Sequence, residues 1–383
     1  MRRSWDTLGV YATIGCLGYL LTGLGTIQPE LRTEFGLSRF EAGLYPSAFA
    51  LGLLVVGVAG HHLARVLGSW ALPVALTALV GGAVVLALGA IPLVSGVGAL
   101  IFGFGGAALV QLVPARLRAE HGAGATVAIG EANALGSTAA VLAPLLIGAA
   151  LATGLGWRTG YLVVPVLALA VLLAGPLRPA RTPVAVEVTR AGRAPRAFLG
   201  WWVDLVLSVG VEFSVLFFAV DYLRTDGGFS SGAATFGAAA FVLGMAAGRI
   251  SVGPATRLVP APARLLALAA GLATVGFGFF WSAMNHIVMI AGLVATGLGV
   301  ALLYPVALGQ ALAVWPSQPD RAAARGALAS GVAAGCAPVL LGALADTGGL
   351  RSAFLLAPVL SLTLLVHCAL RLRRPVPVLV TEV

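Results

Sequence analysis

The chain carries one long pattern twice. Displaced by 192 positions, Leu31-Arg32-Thr33-Glu34-Phe35-Gly36-Leu37-Ser38 falls on Leu223-Arg224-Thr225-Asp226-Gly227-Gly228-Phe229-Ser230. The same register carries Ala48-Phe49-Ala50-Leu51-Gly52 onto Ala240-Phe241-Val242-Leu243-Gly244, and Arg65 onto Arg257. At a displacement of 194, Gly103-Phe104-Gly105 meets Gly297-Leu298-Gly299, and Ala143-Pro144 meets Ala337-Pro338. Chance rarely holds a register over such distances. The 383 residues therefore have to fold as two copies of one unit.

Composition decides the solvent of those units. Hydrophobic residues make up 59% of the chain and charged residues 10%, with a mean hydropathy of +1.00. A soluble domain averages about 25% charge. So much apolar surface exceeds what a soluble core of this size can hide, whereas lipid accepts it. In a membrane protein, a duplicated half points to a secondary transporter with its substrate between the halves. The net charge of +9 does not indicate a nucleic-acid partner, because the basic residues stand singly between apolar spans. All 23 of them are arginine, a bias of genome composition rather than of mechanism.

Runs of about 20 apolar residues between short polar breaks predict twelve transmembrane helices. They cover 7–28, 42–64, 70–91, 96–117, 125–152, 158–177, 199–222, 233–252, 264–284, 287–313, 322–345 and 351–370. The division expected is a six-helix bundle over 1–177, a cytoplasmic linker over 178–198 and a second bundle over 199–383. The linker holds five arginines and several prolines without apolar periodicity. Met1-Arg2-Arg3 leads into a full-length span with no small-residue cleavage site after it, unlike a signal peptide. With the N-terminus inside, 18 arginines fall on the cytoplasmic side and five on the other: Arg32, Arg39, Arg158, Arg224 and Arg351. The positive-inside rule then places both termini in the cytoplasm of a multi-pass, inner-membrane-type protein. Trp5, Trp70, Trp201, Trp202 and Trp315 near inner span ends, and Trp157 and Trp281 near outer ones, are expected to anchor at the interfaces. Cys16, Cys336 and Cys368 lie within spans as packing residues.

Several local motifs resemble those of the major facilitator superfamily, and the resemblance covers the whole chain. Gln28-Pro29-Glu30-Leu31 with Glu34-Phe35-Gly36-Leu37-Ser38 resembles the family's exit from helix 1 into helix 2. Gly60-His61-His62-Leu63-Ala64-Arg65-Val66-Leu67-Gly68 is similar to its helix 2–3 loop, without that motif's aspartate. The repeat from Gly248-Arg249 to Arg257 is better kept, and Gly156-Trp157-Arg158 and Ala345-Asp346-Thr347-Gly348-Gly349-Leu350-Arg351 resemble the turns after helices 5 and 11. The resemblance implies an all-α membrane fold of twelve helices in two pseudo-symmetric six-helix bundles. Two features of the family's drug exporters are missing. The helix 4 stretch 99–106 has no arginine, and helix 5 carries Ala143-Pro144-Leu145-Leu146-Ile147-Gly148 in place of Gly-Pro-x-x-Gly-Gly.

A charge at bilayer depth costs at least about 2.5–3.5 kcal/mol, so each one present needs a reason. Glu131 lies roughly 9 Å inside the cytoplasmic end of helix 5, and Glu212 roughly 20 Å along helix 7. Asp221 falls at the outer boundary, where water is expected to solvate it. Asp204, Ser208 and Glu212, spaced four residues apart, predict one polar stripe on helix 7. The stripe reads either as a seam satisfied by neighbouring helices or as a cavity lining with Glu212 as the proton- or cation-binding group. The second reading is favoured because helix 7 lines the cavity in the resembled family, and no arginine stands at a comparable depth in the sequence. Glu131 forms a patch with Asn133 and Ser137. The resemblance places it against helix 8, so a Glu131–Arg249 pair is expected to lock the halves on the cytoplasmic side when the outside is open. A substrate role or plain packing are its alternatives. Arg65 and Arg257 are expected to serve topology and loop contacts.

Helices 1, 4, 7 and 10 line the cavity in the resembled family, which nominates Tyr19, Gln111, Glu212 and Tyr304 as substrate contacts. His61 and His62 are expected to be solvated, and His121, His286 and His367 stand singly near span ends. None of these has metal-ligand spacing, so no cofactor is expected beyond a coupling proton. The resulting expectation is a monomeric, proton-coupled carrier of a small organic solute working by alternating access. The lack of a mid-membrane arginine turns it towards neutral or cationic compounds, and export is preferred over uptake of a nutrient such as a sugar or other metabolite. A membrane enzyme finds no Ser/His/Asp set or phosphate loop to support it. A sensor derived from the same fold would want an output domain that the short tails do not offer.

Overall fold

The computed structural model describes residues 4–175 and 194–372, the side chains at 57–64, 123, 126, 319 and 320 excepted. The side chains of His61 and His62 and most of the expected linker lie outside the described residues. The first six long helices are α1 (Trp5–Phe35), α2 (Arg39–Leu67), α3 (Ala71–Leu88), α4 (Pro92–His121), α5 (Ala125–Ala152) and α6 (Trp157–Ala174). The next five are α7 (Arg196–Thr225), α8 (Ser231–Leu258), α9 (Pro262–Ser282), α10 (His286–Ala313) and α11 (Pro319–Gly348). A short α12 (Leu350–Ala353) and α13 (Leu356–Leu372) together make the last crossing. All twelve spans are long and apolar enough to cross a bilayer.

Local chemistry sets the helix ends. Ser4 accepts a hydrogen bond from the Thr7 amide at 3.1 Å, and Asn285 accepts one from Ile287 at 2.8 Å, each satisfying an orphan donor of a first turn. Gly156 and Gly349 occupy equivalent turns before α6 and α12 at φ 78° and 80°, where a side chain would be strained.

Packing repeats as the sequence does. α1 lies on α5, α2 on α4, and α3 on α4 and α6; α7 lies on α11, α8 on α10, and α9 on α10 and α13. Glycine makes the closest of these crossings possible. A Cβ on Gly52 would stand 2.3 Å from the Gly103 carbonyl oxygen, and one on Gly244, its repeat mate, 2.2 Å from that of Val294. Gly82, Gly98 and Gly105 press α3 and α4 together against the amides of Phe102, Leu86 and Leu79. Gly276, Gly292 and Gly299, each 194 residues later, do the same against Thr296, Phe280 and Ala273. Lipid supplies no hydrophobic force between helices, so close backbone contact is how such bundles cohere.

The two bundles meet through α2 on α11, α5 on α8 and α1 on α7. Advancing each helix by one half converts the first contact into the second and returns the third to itself, as a pseudo-twofold axis requires. Two tryptophans depart from the expected interfacial role. Trp157 and Trp315 are buried, the latter edge-on to Phe198.

Candidate functional site

Glu212 projects from the middle of α7 towards α8, where Arg249 Nη2 lies 3.3 Å from its carboxylate. A second guanidinium nitrogen of Arg249 donates to Ser137 Oγ on α5 at 3.1 Å, crossing from one bundle to the other. Tyr304 of α10 stands beside Ser330 of α11 and within electrostatic reach of Glu212. Five helices thus contribute to one polar group near the centre of the molecule. The sequence places no arginine at this depth, and the structure corrects that. Glu212 lies 13 residues from the outer end of α7 and Arg249 18 residues from that of α8. The difference in height is about 8 Å, which an extended arginine spans.

The Glu131–Arg249 pair, expected for the outward-open state, is not formed in this outside-closed one. Arg249 is engaged by Glu212 and Ser137, while Glu131 accepts a hydrogen bond from Tyr11 of α1 at 2.7 Å, within its own bundle. Asn133 is exposed on α5, and Arg65 and Arg257 are exposed towards the ends of α2 and α8. Tyr19 is not a cavity residue. Its hydroxyl donates to the Gly160 carbonyl of α6, and the side chain is buried. Gln111 is half-buried on α4, whose neighbours are α1, α2, α3 and α5.

The expected stripe on α7 also divides. Each four-residue step turns a helix by about 40°, so Glu212 points about 80° away from Asp204. Asp204 faces α13 instead, fully buried, with His367 Nδ1 and Arg371 Nη1 each 2.6 Å from its oxygens. Arg371 lies over the Trp201 ring at 3.9 Å. Ser208 donates back to the Asp204 carbonyl oxygen at 2.6 Å. The isolated His367 of the sequence is therefore a partner of Asp204, and the cluster ties α13 to α7 inside one bundle.

On the face away from the termini, charge pairs close the molecule. Asp221, expected to be solvated, is buried between Arg32 of α1 at 2.8 Å and Arg39 of α2 at 2.7 Å. Glu30 of α1 receives Arg224 of α7 at 2.7 Å. Arg32 and Arg224 are repeat mates, so each copy of the Leu-Arg-Thr motif reaches for an acid on the other bundle. Asp346 of α11 accepts the amides of Arg39 and Phe40 at 2.9 and 2.8 Å, capping α2 from across the interface. Arg158 pairs with Glu34, and Arg351 lies 4.9 Å over Trp281. All five outer arginines are thereby engaged. Their standing against the positive-inside bias was the signal available in the sequence for these contacts.

Between the closed face and Glu212 lies a recess lined by Thr22 and Thr26 of α1, Pro144 of α5, Val215, Leu216 and Ala219 of α7, and Ala238, Phe241 and Val242 of α8. α1 and α7 approach closely beside it, since a Cβ on Gly25 would stand 2.6 Å from the Leu216 carbonyl oxygen.

The Major Facilitator Superfamily profile matches residues 205–382, nearly the whole second bundle, of which the first is the repeat. The second bundle thus carries the signature of the major facilitator superfamily. Solved transporters share its fold along nearly the whole length. A bacterial homolog of the human lysosomal transporter Spinster, inward-facing and occupied, is 15% identical, with a TM-score of 0.74 over 97% of this chain and 98% of that one. The nucleoside transporter NupG is 12% identical, with a TM-score of 0.76 over 95% and 99%. The peptide transporter POT in complex with alafosfalin is 16% identical, with a TM-score of 0.75 over 96% and 94%. Curated protein sequences contain no match. That family is one of multi-pass membrane transporters of small molecules.

Proposed function

We propose that the chain is a proton-coupled secondary transporter of a small organic solute, in which Glu212 carries the proton and Arg249 its counter-charge. The observation that carries this reading is the Glu212–Arg249 contact at 3.3 Å, extended to Ser137 of the other bundle. A carboxylate at bilayer depth that shares its partner with the opposite bundle changes both charge and interface when it takes up a proton. Alternating access then follows from rocking of bundles 1–177 and 199–383 about the site, with 178–198 joining them on the cytoplasmic side and the monomer as the working unit. The outer pairs around Asp221 and Glu30 belong to the state closed to the outside.

The expectation of a neutral or cationic compound rests on a sequence that places no arginine near Glu212. With Arg249 there, that ground falls away. Anionic solutes therefore come within the chain's range, with export the first reading of direction and proton-coupled uptake of a small metabolite the second.

A screen of labelled metabolites in proteoliposomes under an imposed pH gradient tests the proposal. For any solute accumulated, Glu212→Gln should leave binding within a few-fold and abolish the dependence on the gradient. Gradient-driven accumulation by the variant at the wild-type level would remove Glu212 from the coupling step.

A further inference from the structure

Three helices repeat one arrangement around the central polar group. On α7, Glu212 shares a face with Val215, Leu216 and Ala219, which follow it by three, four and seven residues. On α8, Val242 and Ala238 precede Arg249 by seven and eleven. On α5, Pro144 follows Ser137 by seven. Each helix thus presents a polar side chain at one level and an apolar wall of the recess about 10 Å further outward on the same stripe. We propose that these two levels are one slot, which takes a compact monocarboxylate with its apolar tail in the recess and its carboxylate on Arg249, together with one proton on Glu212.

This rests on the proton-coupled reading above and names its substrate class. The sign of the charge decides between substrates. Arg249 is always cationic, whereas Glu212 can be neutralised by a proton. The pair is therefore neutral or positive, never negative, and a cationic head would be repelled or left unpaired. The groups facing Glu212 from the surrounding elements are Arg249 of α8, Ser137 of α5, and Tyr304 and Ser330 of α10 and α11, which add no negative charge at neutral pH. Glu131, six residues from Ser137 towards the termini, is bonded to Tyr11. When Glu212 takes up a proton, its ion pair with Arg249 opens, and the ligand carboxylate accepts the guanidinium in its place. The slot is then neutral both empty, as carboxylate and guanidinium, and loaded, as carboxylic acid, guanidinium and ligand anion. That equality matters in a membrane interior, where an uncompensated charge is costly.

Geometry supports the exchange. The Arg249 side chain is 45% exposed, and a guanidinium has five N–H donors in a fork that matches a carboxylate. Its contact with Glu212 runs through one nitrogen at 3.3 Å, longer than a strong charge-assisted bond. Size limits the tail. The recess encloses about 10 Å³ in this outside-closed form, room for one water molecule, so only a single ring or a short chain can enter it, and only as its walls part.

The test is thermal unfolding of the purified full-length chain in detergent at pH 5.5 and 7.5, with benzoate and hexanoate as probes. Acetate serves as the tail-less control, and benzamide and benzylamine as neutral and cationic ones. Benzoate or hexanoate should stabilise the protein, at a concentration about tenfold lower at pH 5.5 than at 7.5, and acetate should need about tenfold more. Benzamide and benzylamine should have no effect. Arg249→Gln should abolish the response and Arg249→Lys retain part of it. Ala219→Phe should lose benzoate while keeping the weak response to acetate, and ligand-free unfolding of each variant reports whether it folds. Stabilisation by benzylamine alone, no response to either probe, or a benzoate response unchanged in Arg249→Gln would overturn the assignment. If the probes fail while some other solute is accumulated through Glu212, the proton coupling stands and the carboxylate class falls. If they bind as described but accumulation ignores Glu212, the reverse holds.

Discussion

At the outer face, the bundles are joined by Asp221, Glu30 and Asp346, each of which bonds to the opposite bundle at 2.7–2.9 Å. At the level of Glu212, they are joined by the Arg249–Ser137 hydrogen bond at 3.1 Å and by Ser47 of α2, which donates to the Gly335 carbonyl oxygen of α11 at 2.7 Å. The outer contacts are short, charge-assisted and backed by backbone approaches such as Gly342 of α11 against the Arg39 carbonyl oxygen of α2. The one inner contact that involves a charge is a single bond from Arg249, whose other partner lies 3.3 Å away. Closure is therefore anchored outside, while the group that changes charge is held lightly enough to exchange partners. A transporter needs both. The anchored side keeps the path shut, and the lightly held side lets proton and ligand decide when it opens.

Removing outer and inner contacts one at a time should reveal this asymmetry. Asp221→Asn should have the largest effect, because it strips two partly buried arginines of their partner. A loss of about 3 kcal/mol, roughly a hundredfold in the closed-to-open ratio, is expected. Accessibility of an introduced cysteine in the outer half of α7 would measure it, and a change below threefold would break the comparison. Glu30→Gln should cost about 1 kcal/mol, since its pair with Arg224 is more exposed. The exchanged double variant Glu30→Arg/Arg224→Glu should recover most of the loss, which a double-mutant cycle on the same readout would show. Asp346→Ala removes a cap supplied from another helix and should cost about 1 kcal/mol, seen as faster amide exchange in the first turn of α2. Ser137→Ala should be the mildest, about 0.5 kcal/mol. An effect of Ser137→Ala as large as that of Asp221→Asn would place the anchor at the wrong level.

What the sequence made legible follows from the range of each interaction. The twelve spans and the duplication were readable because apolar length and register are local or periodic properties. The glycines at 82, 98 and 105 and their mates at 276, 292 and 299 then fixed the same helix pairs twice. Partner choice was less readable, because it depends on helix rotation and relative height. Glu131 was the acid expected for Arg249, whereas the height of α8 against α7 brings Arg249 to Glu212 in this outside-closed form. Asp204 and His367, 163 residues apart, meet through the packing of α13 on α7. Tyr19 looked like a cavity residue because α1 lines the cavity in the resembled family, but its own direction on that helix is towards α6. The outer locks left one trace in the sequence, the five arginines on the side where arginine is disfavoured.

The most direct test of Glu212 as the group that couples protonation to closure needs no substrate. Leu93 and Ile287 are exposed repeat mates at the outer ends of α4 and α10, one on each bundle. Spin labels on Leu93→Cys and Ile287→Cys, with the exposed Cys336 replaced, report the outer separation in nanodiscs by pulsed electron resonance. Protonation of Glu212 leaves Arg249 without its ion pair in the closed form. Lowering the pH from 8 to 5.5 should therefore move the wild-type population towards longer distances. Glu212→Gln should give the acid-type distribution at both pH values. A variant that keeps the wild-type pH response would contradict the assignment of the coupling proton to Glu212.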